Sequence, residues 1–410
     1  MRDLPRLIRG GVFLPMGPGY DHHREVFNRS ATAQPAAIAM CADAKDVAIA
    51  MHFAAAEGLR VAARAGGHSI GGHCLVDGGV VLDLRALNQL SVDVTARTLT
   101  VGAGCLWAEV LGRLVTALGL PGPFDPRVGM SGLTLGGGYG MLSRLHGLAC
   151  DNLLGAEVVF ADGTTGEADE SLLWGLRGAG SHLAIATSLR FQLHPLQKLS
   201  VARVAWPLSR LREVLDFYTS HTASLDDAST VYLGIGEQVE LQAFSFGLQA
   251  LPAFPAGATV QVRATSTYAA AHVENFETFP SNHHHRWRSH LLPALTPAVL
   301  DLLASGSHLG WLVLEHLGGA IGRIPSDATA FPHRGAKYGI VSALKWSGEA
   351  KASDLARQDA LHQALRPHAL GTYANYLSES DAVAAYGANL PKLRALKQQL
   401  DPNGLLRLLD

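Results

Sequence analysis

The chain has 410 residues, of which 48% are hydrophobic and 17% are charged, so it can build the cores of two or three domains. This composition excludes a disordered or fibrous protein. The formal net charge is −2, so no general attraction to nucleic acid is expected. No apolar run is long enough to cross a bilayer, and "MRDLPRLIRGGVFLP" lacks the apolar core of a signal peptide. We therefore expect a cytoplasmic protein that binds neither nucleic acid nor membranes.

The first predicted elements are a helix and a strand within residues 43–64. Asp43 can cap the helix "AKDVAIAMHFAAAE", and Gly58 can end it before the strand "LRVAAR". The segment "GVVLDL" (79–84) predicts a second, buried strand.

More strands and one helix are predicted before residue 196. A hairpin is predicted over 90–104, a helix over 107–119 and a strand over 182–195. Two short strands are predicted over 156–168, around the tight-turn pair Asp162-Gly163. This half mixes helices with hairpins and does not show the strict βαβ alternation of a doubly wound fold.

The composition changes near residues 196–205, where glycine becomes less frequent. Strand-like segments then alternate with helical ones, which predicts a second domain. The segment 389–404 predicts an amphipathic helix that is ended by Asp-Pro-Asn-Gly.

Two glycine-rich loops, "RAGGHSIGG" (64–72) and "VGMSGLTLGGGYG" (128–140), are the most unusual features. The first lacks the Lys-Ser/Thr of a P-loop, and "GGGYGM" lacks the last glycine of a dinucleotide fingerprint. Successive glycine amides can still form a concave anion site. The alternative is a pair of tight turns. The run "HHH" (283–285) is interpreted as a solvated or pocket-lining loop, and no metal is predicted.

Six segments carry a resemblance to one family. "RAGGHSIGGH" (64–73) resembles the histidine-bearing flavin loop of the FAD-linked oxidases related to berberine bridge enzyme and hydroxynicotine oxidase. Residues 128–159 resemble the second flavin loop of that family, and "LLWGLRGAGSHLAIATSLRF" resembles its "LFWALRGGGGNFGVVT" segment. The remaining three segments, in the same order as in the family, are "GGAIGRIPSDATAFPHR", "TYANYLSESD" and "YGANLPKLRALKQQLDPNGLLR".

The resemblance implies an α+β fold of the vanillyl-alcohol-oxidase-like kind, with a two-part, PCMH-type FAD-binding domain. Residues 1–198 would form its first part, and residues 371–410 would return to it. An inserted substrate domain of antiparallel sheet plus helices would span residues 199–370.

In this family the loop histidine is bonded to the 8α carbon of FAD, and His68 stands at that position. Many relatives have a second link through a cysteine just before the "VGxxG" stretch. Asp125 matches that position, and no cysteine lies between residues 106 and 149. The expected cofactor is therefore FAD with a single covalent link. The other residues expected to bind it are Arg64, Ala65, Gly66, Gly67, Ser69, Gly129, Ser131, Gly132, Gly136, Gly137, Gly138 and Asn375.

The catalytic base is less clearly marked. Some relatives place Glu or Gln on the strand after "FPHR", but the inward positions of this chain are Gly339 and Val341. Tyr373, from the family's "YxN" motif, is the expected base, and Tyr139 is expected across the flavin from it. A tyrosine base needs a cationic neighbour because its ordinary pKa is about 10. The candidates for that neighbour are His284, Arg286, Arg288 and Lys345.

The expected reaction is oxidation of a small organic molecule by hydride transfer to flavin N5, with O2 as the acceptor. A secondary metabolite or alkaloid-like compound is favoured over a sugar, because sugar-oxidising relatives tend to carry the cysteine link. Glu315, His284 and Arg286 are expected to face the substrate, although a solvent-side position is equally compatible with Glu315. A flavin-containing cyclase without net oxidation and a non-catalytic flavin-binding protein are the alternatives. Either a monomer or a homodimer is expected.

Overall fold

The computed structural model describes residues 3–114, 117–247, 253–273, 279–305, 310–379 and 381–406. The amino-terminal part contains a four-stranded sheet in the order β1-β2-β4-β3. Strands β2 and β3 each pair with β4 in parallel. The elements are α1 (Leu4–Leu7), β1 (Val12–Phe13), α2 (Tyr20–Arg24), β2 (Ala37–Met40), α3 (Ala44–Ala56), β3 (Val61–Arg64) and β4 (Val80–Asp83).

Helix α3 forms where its capping and apolar pattern predict it. The Asp43 carboxylate accepts a hydrogen bond from the Asp46 N–H at 2.9 Å, which satisfies one free amide of the first turn. Its buried face packs on the first sheet through Val47 and Met51. The predicted helix and strand of residues 43–64 are thus confirmed.

A second sheet has five strands in the order β5-β6-β10-β8-β9, and a separate pair joins β7 to β11. The predicted hairpins over 90–104 and 156–168 are its antiparallel pairs β5-β6 and β8-β9. The elements are β5 (Leu90–Asp93), β6 (Thr98–Gly102), α4 (Trp107–Arg113), β7 (Leu118–Gly119), α5 (Met130–Leu135), α6 (Ser143–His146), β8 (Leu153–Val159), β9 (Thr165–Glu167), α7 (Glu170–Leu176), β10 (Ile185–Gln192) and β11 (His194–Pro195).

The helix predicted over 107–119 is too long. Helix α4 ends at Arg113, residues 115–116 lie outside the described chain, and Leu118–Gly119 is extended. The reason is tertiary, because this segment pairs with His194–Pro195 and so gains backbone hydrogen bonds that local propensity does not anticipate.

The third sheet has seven strands, all antiparallel, in the order β15-β12-β14-β13-β17-β18-β16. One face packs on helices, with a core that includes Leu233, Leu312 and Ile340. The elements are β12 (Leu199–Pro207), α8 (Leu211–Ser224), β13 (Ser229–Ile235), β14 (Gln238–Phe246), β15 (Thr259–Ser266), α9 (Tyr268–Val273), β16 (His284–Leu292), α10 (Pro297–Ala304), β17 (Trp311–His316), α11 (Ala320–Arg323), β18 (Tyr338–Trp346) and α12 (Ala352–Leu365).

The carboxy-terminal segment returns to the first sheet through α13 (Ala382–Tyr386) and α14 (Leu390–Leu400). The Val61 N–H donates to the Leu405 carbonyl at 2.8 Å, which attaches the tail to β3. The predicted α+β class, with a two-part first domain and an inserted antiparallel sheet, is thus confirmed. The exact domain boundaries stay a prediction. Among the described residues, no helix has the length and apolar character needed to cross a membrane.

Candidate active site

A cavity of about 390 Å³ lies between the two glycine loops and the third sheet. One wall is the face of the sheet opposite the core that α8, α10 and α12 build, and the loops before α5 and after β3 form the other wall. The volume is within the usual range for small-molecule sites. Of the residues expected to bind the cofactor, the cavity is lined by Ala65, Gly66, Gly67, His68, Ser69, Gly129, Ser131, Gly132, Gly136 and Asn375.

The two glycine loops touch each other, which explains part of their composition. A Cβ atom on Gly66 would lie 2.6 Å from the Gly129 nitrogen, and one on Gly129 would lie 2.5 Å from the Gly66 nitrogen. Any side chain would push the loops apart. Among the described residues, the N–H groups of residues 66–68 have no hydrogen-bond partner. Free amides beside a cavity are suited to an anionic group such as a pyrophosphate.

His68 is held on two sides. Its ring stacks on Phe27 with centroids 3.8 Å apart, and its Nε2 lies 3.2 Å from the Asp125 carboxylate. Arg127 also binds that carboxylate, with its Nη2 2.6 Å from Oδ2. Burial acts to raise the pKa of Asp125, but the hydrogen bonds from His68 and Arg127 outweigh it and hold this pKa well below its usual range. Asp125 is therefore a carboxylate at neutral pH.

Strand alternation decides which side chains of the third sheet reach the cavity. Trp311, Val313 and Glu315 of β17 line it, whereas Leu312 and Leu314 between them pack into the helix-side core. The neighbouring strands contribute in the same way, through Tyr232, Gly234, Glu240, Gln242, Trp287 and Val341.

Glu315 is the central polar residue of this wall. Only 5% of its surface is exposed, and its two oxygens accept hydrogen bonds from the hydroxyls of Tyr139 and Tyr376, the latter at 3.1 Å. It pairs across the sheet with Gly339, where a Cβ atom would lie 2.7 Å from Glu315 Oε2. The glycine thus leaves the space that the carboxylate occupies.

The surroundings of Glu315 raise its pKa to about 7. Burial is the cause, and the hydrogen bonds from Tyr139 and Tyr376 offset only part of it. Burial together with the nearby carboxylate raises the pKa of Tyr139 well above its ordinary value. At neutral pH the carboxyl group is therefore the one that can accept a proton, and the phenol stays protonated.

Tyr373 lines the cavity but is a poor proton acceptor. Its hydroxyl oxygen accepts hydrogen bonds from the Gly138 N–H at 2.7 Å and from Asn375 Nδ2 at 2.8 Å. Burial raises its pKa despite both bonds. Asn375 is fixed in turn by the Leu133 carbonyl at 2.9 Å, so it connects this tyrosine to the second glycine loop.

Several expected placements are wrong. The rings of Tyr139 and Tyr373 lie side by side with centroids 4.6 Å apart, so no flavin ring fits between them. His284 and Arg286 lie on the opposite face of β16 from Trp287. His284 stacks on Trp346, and Arg286 binds Asp359 with its Nη2 2.7 Å from Oδ1. Arg288 also binds Asp359.

Three residues expected to bind the cofactor do not line the cavity: Arg64, Gly137 and Gly138. The Arg64 guanidinium donates to the carbonyls of His23 and Glu25, so it fixes the amino-terminal segment. The carbonyls of Gly137 and Gly138 accept hydrogen bonds from the backbone of Cys150 and Ala149. These hydrogen bonds give Arg64, Gly137 and Gly138 structural roles outside the cavity lining.

Sequence reasoning missed Tyr376 and Trp287 as cavity residues. The indole N–H of Trp287 is buried and has no partner among the described residues, so it is a spare donor beside the cavity. Tyr376 belongs to the quoted "TYANYLSESD" segment, so its place there was the available signal. No cluster of three metal-binding side chains occurs in the described part of the chain.

The residues present fit the cofactor that the resemblance implies. The free amides of residues 66–68 suit a pyrophosphate, and His68 lies in the same cavity at the loop position of the family's linking histidine. Bound FAD supplies a flavin ring that accepts a hydride from a substrate carbon.

Comparisons of sequence support this reading. A family model described as an FAD binding domain matches residues 35–169. The uncharacterised FAD-linked oxidoreductase YvdP of Bacillus subtilis is 27% identical over 98% of this chain and 97% of its own length. The (R)-6-hydroxynicotine oxidase of Paenarthrobacter nicotinovorans is 32% identical, over 57% of this chain and 53% of its own length.

Comparison of structures gives the same fold. BBE-like 1 of Physcomitrella patens superposes with a TM-score of 0.90, covering 100% of this chain and 98% of its own, at 22% sequence identity. Since the sequences have diverged this far, the likeness establishes the architecture, and the chemistry must be argued from the side chains in the cavity.

Proposed function

Because the chain belongs to the berberine bridge enzyme-like and hydroxynicotine oxidase family of FAD-linked oxidoreductases, with a PCMH-type FAD-binding domain, we propose that it oxidises an alkaloid-like amine. A substrate carbon would give up a hydride to the flavin while Glu315 takes the substrate proton. Dioxygen would then reoxidise the flavin and yield hydrogen peroxide.

One observation carries the proposal. Glu315, with a pKa of about 7, lines the same cavity as His68 and the glycine loops. A general base works best when its pKa is close to the working pH. Tyr139 and Tyr376 each donate to this carboxylate, so they orient it and keep their own protons.

The charges and rings of the cavity support an amine over a sugar. Its described lining includes the carboxyl groups of Glu315 and Glu240 and contains no lysine or arginine. The indoles of Trp287 and Trp311 lie on the same wall. Aromatic faces and carboxylates together attract organic cations.

We propose a single covalent link between His68 and FAD. His68 lines the cavity at the loop position of the family's linking histidine, and Asp125 stands where a second link would need a cysteine. Tyr373 and Asn375 would hold the flavin edge rather than exchange protons, because their polar atoms are already bonded to each other and to the second glycine loop.

The test is a substrate screen on the purified yellow protein. A panel of cyclic aromatic amines is compared with matched alcohols and oligosaccharides, by anaerobic loss of the oxidised flavin spectrum and by peroxide release in air. We expect amines to bleach the flavin and to give one peroxide per turnover. Oxidation of oligosaccharides but not of amines would contradict the proposed substrate class.

The absence of a carboxylate on the strand after "FPHR" was compatible with the cyclase alternative. Glu315 of the adjacent strand, opposite Gly339, now supplies a carboxylate in the cavity and favours the oxidase. In the same screen, product formation without any loss of the oxidised flavin spectrum would restore the cyclase.

A further inference from the structure

Asp125 occupies an unusual place. It stands at the position where many relatives have a flavin-linking cysteine, yet its Oδ2 lies 3.2 Å from Nε2 of His68, the proposed linking histidine. Both side chains line the cavity. Asp125, which stands in place of the second linking residue, is thus in direct contact with His68, the proposed first linking residue.

This contact fixes the tautomer of His68. An ionised carboxylate can only accept hydrogen bonds, so Nε2 must carry the proton and donate it. In the neutral ring the other nitrogen, Nδ1, then has a free lone pair. Nδ1 has no hydrogen-bond partner among the described residues. Nδ1 is therefore the nucleophilic atom.

The geometry of the pair is held from outside. Arg127 Nε lies 2.9 Å from Asp125 Oδ1, and its Nη2 also donates to the Phe279 carbonyl at 3.0 Å. On the other side, Phe27 lies between the rings of His68 and His285, with centroids 3.8 and 4.5 Å apart. The stacking on Phe27 and the hydrogen bond to Asp125, which Arg127 holds in place, together leave the His68 imidazole one orientation.

We propose that Asp125 is a positioning residue that prepares His68 for covalent attachment of FAD. This inference rests on the proposed function, because it needs the His68 link. Nδ1 forms a bond to the 8α methyl carbon of the flavin, and one C–H bond of that methyl breaks. The proton leaves to solvent, and the two electrons pass into the flavin ring. Dioxygen then removes these electrons, and one hydrogen peroxide forms per link.

The carboxylate has a physical reason to accelerate this step. When Nδ1 acquires its new bond, the imidazole becomes cationic while Nε2 still carries its proton. A carboxylate 3.2 Å from Nε2 stabilises that charge more than it stabilises the neutral ring. The Asp–His part of serine-protease triads follows the same logic. Asn at this position would keep an acceptor oxygen but lose the charge.

The experiment measures the rate of attachment rather than turnover. Protein from riboflavin-limited cells is mixed with FAD in air, samples are precipitated in acid, and flavin in the pellet and peroxide are followed over time. Binding of FAD before attachment is measured separately by fluorescence. Asp125→Asn is the main variant, and Asp125→Glu is the conservative rescue. Asp359→Asn, which removes a carboxylate bound to Arg286 outside the cavity, is the matched control.

We expect Asp125→Asn to bind FAD but to attach it at least about tenfold more slowly. Asp125→Glu should recover part of the rate, and Asp359→Asn should match the unaltered protein. Arg127→Lys, which replaces the bidentate hydrogen bonding to Asp125 by a single donor group, should slow attachment by a smaller factor. Attachment at an unchanged rate in Asp125→Asn would overturn the positioning role.

The two proposals fail differently. If the unaltered protein releases its flavin in acid, the covalent link itself is absent and the role of Asp125 falls with it. If the unaltered protein keeps its flavin on the His68 peptide and Asp125→Asn does so equally fast, the link stands and only the positioning role is lost.

Discussion

At the scale of single residues, the chemistry is concentrated in one carboxyl group that is both buried and hydrogen-bonded. Glu315 receives two phenolic hydrogen bonds but no cation from the described residues, so its pKa stays raised rather than falling as that of Asp125 does beside Arg127. Two of the acidic residues that line the cavity therefore behave in opposite ways: Asp125 is ionised at neutral pH, and Glu315 titrates near neutrality. We interpret the first as structural for His68 and the second as the base.

Replacing Glu315 by Gln tests the base directly. Because the ionised form accepts the proton, kcat/KM should rise with pH up to about 7 and then level off. Glu315→Gln should lower kcat by about 10² to 10⁴ and abolish that rise. Glu240→Gln is the control; it should change KM and keep the pH profile. An unchanged profile in Glu315→Gln, measured by stopped-flow flavin reduction, would assign the base elsewhere.

Replacing Asp125 by Cys tests the register of the second glycine loop. If residue 125 stands where relatives have their linking cysteine, the new thiol should form a second bond to the flavin. Peptide mapping should then find one flavin joining the peptides of residues 68 and 125. Asp93→Cys, on an exposed strand, should form no such bond. A single link in both variants would show that residue 125 is out of register.

The position of a side chain could be predicted where a sequence motif determines it. It could not be predicted where a long-range contact determines it. His68 and Tyr139 line the cavity as the loop motifs indicate. The role of Glu315 depends on the pairing of two strands that are over 20 residues apart in sequence. The sequence alone therefore left open whether the Glu315 side chain faces the cavity or solvent. Likewise, nothing in the sequence shows that Asp125 contacts His68.

At the scale of elements, the alternation of side chains between the two faces of β16 decides which of its residues line the cavity. Sequence reasoning placed His284 and Arg286 toward the substrate, whereas Trp287 is the residue that lines the cavity. A shift of one residue reverses every side chain of a strand. The sequence predicted only a loop over residues 283–285 and no strand here, because the nine consecutive pairs of β16 with β18 are long-range contacts.

Gly339→Ala tests the pairing of β17 with β18. The added Cβ would lie 2.7 Å from Glu315 Oε2 and would displace the carboxylate. We expect kcat/KM to fall by about tenfold or more, with flavin content unchanged. Gly112→Ala, on an exposed helix position with open space around it, is the control. Wild-type kcat/KM in Gly339→Ala would show that the carboxylate needs no space from this glycine.

At the scale of the whole molecule, buried polar contacts join the glycine-rich first half of the chain to the second half, which holds the seven-stranded sheet. Arg334 binds both oxygens of Asp151 at 2.7 and 2.8 Å, and both side chains are almost fully buried. The Arg144 guanidinium donates to the carbonyls of Ser229 and Leu317. Both contacts join a residue of the first half to residues of the second, so they fix how the two halves pack together.

Asp151→Asn should therefore destabilise the whole protein. Removing one partner of a buried ion pair leaves the Arg334 charge uncompensated and costs about 3 kcal/mol or more. Thermal unfolding followed by circular dichroism should show a lower Tm with a single transition. Asp301→Asn, in an exposed pair with Arg212, should change the Tm little. Equal Tm values for the two variants would mean that the buried pair does not join the halves.

The seven-stranded sheet has a practical use in enzyme engineering. Its cavity-facing positions, such as Tyr232, Gln242, Trp311 and Val341, alternate with positions that build the helix-side core. A combinatorial library restricted to these four codons would vary the recognised molecule and leave the loops around His68 untouched. Clones that still fold would remain yellow, so colony colour would separate loss of cofactor from change of selectivity before any assay is run.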